Sequence, residues 1–454
     1  MIGIVEVLII SSVILFISMY LFRFSLGTYS ITRLNMISVI FYKDFILLTF
    51  IGAILVVCNV DIKQNLYFWG VTNHAFDSAR FYGWISVLYA MVLFPLGMIL
   101  SNVIFFKKIK IKLILSKYFS GQTKMYLSRT DNAVFITCCI FLLISTFAVI
   151  YVYVCIGNFP ILSLLSGAEN FILAQLRSDA KLNFSGIAAI KDVLAINLTM
   201  LLSYILYTYS KVTNLLKYKI LFYYSFFLFV LIITYNLEKI PLFFYLFGFV
   251  LLNILISSKV SLKKILVFFV FVFISLIGLY FLFLKKGLGI VIISILSRIL
   301  VAESAAIFLG YEYVPNSVDF IGVKGISNLF AALVGEKRIM YGRALFELYN
   351  PSAVLNNTAG YIVGLFTTEA WVLFGILGVL LSPLYVGFFV QSFHNILLKL
   401  PKTPIFMGAY VFITLKWSLT GGVSQFLYPI ILFVMVFLIV QLILVSNMFQ
   451  MLKK

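Results

Sequence analysis

Apolar runs of roughly 17–25 residues, separated by short polar stretches, recur from the beginning of this chain to its end. That is the length an α-helix needs to cross about 30 Å of hydrocarbon. Eleven spans are predicted, at 2–22, 44–60, 83–105, 133–156, 187–209, 220–235, 240–257, 265–284, 364–391, 404–420 and 427–447. The pattern predicts an all-α polytopic membrane protein, a single integral membrane domain over 1–454 with no soluble domain of ordinary size. The first run is too long for a signal-peptide core, has no basic residue before it and carries Glu6, so it is expected to be a retained first span.

Composition agrees with the pattern: 63% of the 454 residues are hydrophobic and 11% charged, where a soluble protein is about 25% charged. A net charge of +19 raises nucleic acid as a partner, but that reading needs basic residues gathered on a solvated domain. Here the charge follows the loops. With loops placed alternately on two sides, one set holds twenty basic residues against two acidic ones, Asp44 and Asp131, and the rest of the chain holds fourteen against thirteen. Basic residues are retained in the cytoplasm, so the N-terminus is expected outside and the C-terminus inside. Lys110 and Lys124 then face the cytoplasm, and Ser317 and Asn356 face outward.

Two outer connections are long, 157–186 and 285–363, the second running to 79 residues between spans eight and nine. Long ordered loops commonly carry function. The first part of the longer loop, GLGIVIISILSRILVAESAAIFLG, puts Ser294, Ser297 and Arg298 on one helical face and is expected at the interface or dipping into the bilayer. Its later part, AALVGEKRIMYGRALFEL, is predicted as a second helix with Glu336, Met340, Arg343 and Glu347 on one face. No internal repeat is evident, which counts against transporter folds built from duplicated halves.

The chain uses 26 lysines and 8 arginines, yet the two long outer loops hold five lysines and four arginines: Arg177, Arg298, Arg338 and Arg343. A guanidinium grips phosphate through a planar fork that lysine lacks, so this enrichment points to oxyanion binding. In ENFILAQLRSDAKL a helix sets Arg177 and Lys181 one turn apart, suited to one diphosphate; the competing reading is an interfacial helix anchored to lipid headgroups. Arg298 lies in an apolar segment where a charge is costly without a partner. For Arg338 and Arg343 the competing reading is a solvated ion-pair helix with Glu336 and Glu347.

Transfer to a hydroxyl wants a base, and the outer acids are Asp179, Glu303, Glu312, Asp319, Glu336, Glu347 and Glu369. Glu369 opens the ninth span, where it either faces substrate or caps the helix. Lys191, Asp192 and Lys416 are further near-membrane charges that would line a cavity. No D-x-D motif and no P-loop occur, and the two histidines, His74 and His394, are assigned to a short outer loop and the cytoplasmic side. Cys58, Cys138, Cys139 and Cys155 lie in apolar runs without metal-binding spacing. No metal and no cofactor are expected.

The whole-chain architecture, together with LRSDAKLNFSG in the middle outer loop and TTEAWVLFGILGVLLSPLYVG after the long one, resembles the bacterial oligosaccharide repeat-unit polymerases, the Wzy-like O-antigen and capsule polymerases. The resemblance implies a GT-C-like, metal-independent glycosyltransferase of the bacterial inner membrane, using undecaprenyl-diphosphate-linked oligosaccharides on the outer (periplasmic) face. It implies a chain-length regulator and a flippase as partners, besides membrane lipids, and no nucleic acid. On it, Arg177 with Arg298 or Arg343 stabilises the leaving diphosphate, Lys181 and Arg338 add to that site, and Glu369 or Glu303 is the base. The chain departs from the R-x10-G pattern of some relatives: eight residues separate Arg177 from Gly186 and eleven separate Arg298 from Gly310. O-antigen ligases, which are close relatives, carry a histidine in the long loop, and 285–363 has none. The alternatives are a flippase for the lipid-linked oligosaccharide and an O-antigen ligase.

Overall fold

In hydrocarbon a backbone must satisfy its own polar groups, and the long apolar runs do so as helices. The computed structural model describes residues 3–26, 33–59, 71, 74–106, 111–121, 131–157, 160–167, 170–181, 184–236, 238, 240–257, 261–284, 287–355 and 360–451. Lys110, Lys124, Asn356 and the side chain of Lys181 lie outside the described residues. Among the described residues every regular element is helical. Among the described residues nine helices are long and apolar enough to cross a membrane, or ten if the pair Leu288–Leu300 and Ala305–Tyr313, bent by 60°, counts as one. The place of the eighth expected span is taken by a helix over Leu262–Leu284, whose Leu266, Val267, Val270, Phe271 and Ile274 are exposed, as lipid-facing side chains would be.

Side-chain hydrogen bonds give the direction of the central helices. Trp84 Nε1 donates to Ser11 Oγ (3.0 Å), Ser18 Oγ to the Met91 carbonyl (2.8 Å) and Asn102 Nδ2 to the Ser25 carbonyl (2.9 Å). The helices Ile4–Leu26 and Asp77–Phe106 are therefore parallel. Tyr89 OH donates to the Leu380 carbonyl at 3.0 Å and Ser101 pairs with Ser392 at 2.9 Å, so Phe366–Lys399 runs parallel to both. Glycines let these two long helices touch: a Cβ on Gly97 would sit 2.1 Å from the Leu384 carbonyl oxygen, and one on Gly387 2.0 Å from that of Phe94. Asp77 and Phe366 thus open their helices at the same end of the bundle. The bent pair finishes there too, since Phe76 N donates to Glu312 Oε2 at 2.8 Å.

Three expectations are corrected. The second span is helical over Met36–Val57 rather than 44–60, its stretch Phe41–Phe50 being a π-helix. Lys43 and Asp44, counted above as loop charges, therefore lie inside the bundle, where Asp44 is fully buried. The tenth span stops at Lys416, and Trp417 to Pro429 is irregular apart from a 3-10 turn and the short helix Ser424–Leu427. His394 is buried in the Phe366–Lys399 helix, with Nε2 3.1 Å from Tyr410 OH.

The long connection folds back on the bundle. Gly310 of the bent pair lies against Leu345 and Thr368. The helix expected over 331–348 is broken. Asn328–Leu333 ends in a turn at Gly335, whose φ of +72° takes the chain out of the helix, and helix resumes at Tyr341–Tyr349. Glu336 consequently pairs with Lys324 at 3.3 Å and shares no helical face with Arg343.

Candidate functional site

Four departures from regular helix meet inside the bundle, and each brings charge with it. The first is the π-helix Phe41–Phe50, carrying Lys43 and Asp44. The second is the π-helix Ile190–Leu198, carrying Lys191 and Asp192. The third is the bend at 301–304, carrying Glu303 and following Arg298; the fourth is the irregular stretch after Lys416. A π-turn leaves the normal ladder and tends to mark functional sites. Irregular backbone at membrane depth survives only when buried in protein or lining a cavity.

Two acids hold the irregular stretch. Asp44 Oδ1 accepts from Ser418 Oγ (2.9 Å) and Oδ2 from Leu419 N (3.1 Å), while Lys43 Nζ lies 3.2 Å from Oδ1. Glu369, 3% exposed, accepts from Ser424 N at 2.7 Å, from the Ser424 hydroxyl and from Val423 N. Its carboxylate thereby serves the free N–H groups at the start of Ser424–Leu427. Gly422 permits the approach, because a Cβ there would meet Glu369 Oε2 at 2.3 Å.

The FGILG run after Glu369 acquires a physical meaning. Gly375 has φ +61° and ψ −145°, a conformation open essentially to glycine alone, and it breaks the helix a turn and a half beyond Glu369. The break frees the Val372 carbonyl, which accepts from Ile321 N at 3.0 Å and pins the long connection to the bundle. Gly378 accommodates the distortion, since a Cβ there would lie 2.1 Å from the Ala370 oxygen.

Glu303 is where the charges meet. Arg298 acts on it most strongly among its charged neighbours, followed by Asp44, Lys43 and Glu238. Glu303 and Glu369 both act on the hydroxyl of Tyr341, which is 1% exposed and accepts from Gly364 N at 3.4 Å. Burial, with those carboxylates and Tyr361 adding to it, holds the Tyr341 phenol well above its ordinary pKa. Tyr361 is raised to about 12, first by the protein packed around its hydroxyl and then by Glu369, with Arg338 opposing; part of its ring stays exposed. Both phenols are thus protonated donors at neutral pH. On the other flank, the Tyr280 hydroxyl lies within electrostatic reach of both Arg298 and Arg177.

The sequence-derived residues divide accordingly. Arg298, Glu303, Glu369 and Arg338 are linked through Tyr341 and Tyr361, and Arg177 joins through Tyr280. Arg177 projects from the helix Asn170–Lys181, as expected of that stretch, and is exposed. Arg343 is tied to Glu347 at 2.9 Å, the surface ion pair of the competing reading. Lys191 is buried over the rings of Phe184 (4.5 Å) and Tyr235 (5.7 Å), and Lys416 and Asp192 interact. Sequence reasoning missed Asp44, Lys43, Tyr341, Tyr361, Tyr280 and Glu238. The repeated Lys-Asp pairs in FYKDF and IKDVL were the available signal for the first two. No family model, curated protein or solved structure matches this chain.

Proposed function

We propose that the protein is a membrane glycosyltransferase that polymerises undecaprenyl-diphosphate-linked oligosaccharide repeat units, with the Asp77 and Phe366 end of the bundle facing outward. The observation that carries this reading is the grouping around Glu303 of Arg298, which shares the Tyr280 hydroxyl with Arg177, on one side and of the Tyr341 phenol, on which Glu369 also acts, on the other. In the proposed reaction the terminal hydroxyl of one lipid-linked unit attacks the anomeric carbon of the chain carried by another. A C–O bond forms, the bond from that carbon to the diphosphate oxygen breaks, and the hydroxyl proton passes to Glu303. Arg298 and Arg177 take up the negative charge developing on the departing diphosphate, fixed cations that need no reorganisation.

Glu369 is given a positioning role. Its oxygens already accept from Val423 and Ser424, so it holds the irregular stretch against the site, whereas Glu303, half-buried at the bend, has Arg298 as its strongest charged neighbour. The test is the lipid-linked ladder in a deletion strain: single repeat units on the outer leaflet support polymerisation, and an unchanged ladder ends the proposal.

One observation favours translocation as a second reading. Lys43, Lys191 and Lys416 lie on helices of the bundle and are buried or half-buried, and intramembrane charges commonly mark substrate paths. Accumulation of lipid-linked units solely on the cytoplasmic leaflet of the deletion strain would select it.

A further inference from the structure

Two residues beyond Glu369, and so on the opposite side of the same helical turn, Trp371 belongs to a row of aromatic rings. Its ring lies 4.8 Å from that of Tyr311, which lies 6.3 Å from Tyr82, and Phe320 meets the Trp371 ring edge-on at 5.6 Å. Tyr82 and Phe320 at the two ends are exposed. The row is held in place by the backbone device described above, since Ile321, next to Phe320, is bound to Val372, next to Trp371. Asp319 is exposed beside Phe320, and Glu312, next to Tyr311, is half-buried at the rim.

Interfacial tyrosines and tryptophans ordinarily turn their polar tips to the lipid headgroups. Here the two inner tips are engaged by protein: Trp371 Nε1 donates to the Val314 carbonyl at 3.1 Å, and the Tyr311 hydroxyl is hydrogen-bonded to Ser86. What the row presents is ring surface edged by carboxylates. Anionic headgroups are repelled by such an edge, and lipid tails make no use of it. A neutral sugar fits both parts: its polarised C–H face is attracted to the negative face of an aromatic ring, and its hydroxyls donate to carboxylates.

We infer that the ledge formed by Tyr82, Tyr311, Trp371 and Phe320, with Glu312 and Asp319 at its rim, binds the saccharide chain of the substrate. The inference rests on the polymerase reading for which saccharide is meant. The ledge holds the growing chain one helix face away from Glu303 and Glu369, so that successive units are added before release.

The decisive experiment uses the full-length protein in detergent and delipidated polysaccharide from the producing strain. In a Trp69→Phe background tryptophan emission should change saturably on titration, and Trp371→Phe should remove the change, because the two remaining tryptophans, Trp84 and Trp417, are buried. Tyr82→Ala with Phe320→Ala should weaken binding at least tenfold, and Tyr82→Phe with Phe320→Tyr should retain it. In cells the alanine pair should shorten the modal chain to half or less at unchanged protein level. Unaltered affinity and chain length in the alanine pair would overturn the inference, as would a fall in protein level with normal chains from what remains, the mark of a lipid anchor. Failure of the polymerase reading shows separately, as normal polymer in the deletion strain.

Discussion

The two halves of the Phe366–Lys399 helix both carry polar residues, and they use them differently. In the far half, Gln391 Nε2 donates to Asn102 Oδ1 (3.0 Å) and Asn395 Oδ1 (2.9 Å), and Asn395 Nδ2 donates to Asn102 Oδ1 (2.9 Å). These neutral amides join parallel helices and are fully buried. In the near half, one acid supports irregular backbone, a glycine breaks the helix, and charges from five separate segments converge on Glu303 and Tyr341. Neutral groups that hydrogen-bond to each other across neighbouring helices are adhesive. Charges gathered around broken backbone cost stability, and such places are where chemistry is found.

The largest effects should come from the near half. Glu303→Gln keeps the shape and removes the base, so chain elongation should fall by about 100-fold or more with protein level unchanged, read from the ladder of lipid-linked products. Normal ladders would move the base elsewhere. Arg177→Ala should lower elongation by roughly 100- to 1,000-fold, and Arg177→Lys should recover little because the fork is lost. Full rescue by lysine would reduce Arg177 to a headgroup anchor.

Gly375→Ala should act through the backbone. A side chain at φ +61° and ψ −145° costs about 1–3 kcal/mol, and relieving it straightens the helix and releases Ile321. Folded yield and elongation should fall together, and an undisturbed protein would show that the break is dispensable. Gln391→Leu tests the other half. Intramembrane hydrogen bonds are worth about 0.6 kcal/mol on average and up to about 1.7. The midpoint of detergent-induced unfolding should drop slightly while activity per folded molecule stays the same. Lost activity at full stability would mean that the far half of the helix also takes part in the reaction.

Membrane class was legible in the sequence because hydrophobic length is read directly by the bilayer, whereas eleven spans were expected and nine or ten helices among the described residues meet the length and apolarity of a span. The span at 240–257 coincides with its helix, Ile240–Ser257. What escaped was polarity inside spans. A Lys-Asp pair looks like a helix end, and so Lys43 and Asp44 were placed in a loop; burial of Asp44 against the Ser418 and Leu419 donors is a tertiary fact. Tyr341 could not be singled out among 27 tyrosines, since only packing makes one phenol shared by two carboxylates. Glu369 and the FGILG run were visible as unusual. Their roles in capping and breaking helices required the coordinates.

The smallest effect separates two arginines of the same connection that the sequence treats alike. Arg338 acts on Glu369 and Tyr361, and its Nε donates to the Gly325 carbonyl at 3.4 Å. Arg343 spends its guanidinium on Glu347 in an i,i+4 pair with both partners more than a third exposed. Exposed pairs of this kind contribute about 0.3–0.5 kcal/mol, so Arg343→Ala should leave chain length and yield near wild type. Arg338→Ala removes a cation near the site and should shorten chains measurably. Equal defects in both would place the whole Tyr341–Tyr349 helix against substrate; equal indifference would confine the diphosphate to Arg298 and Arg177.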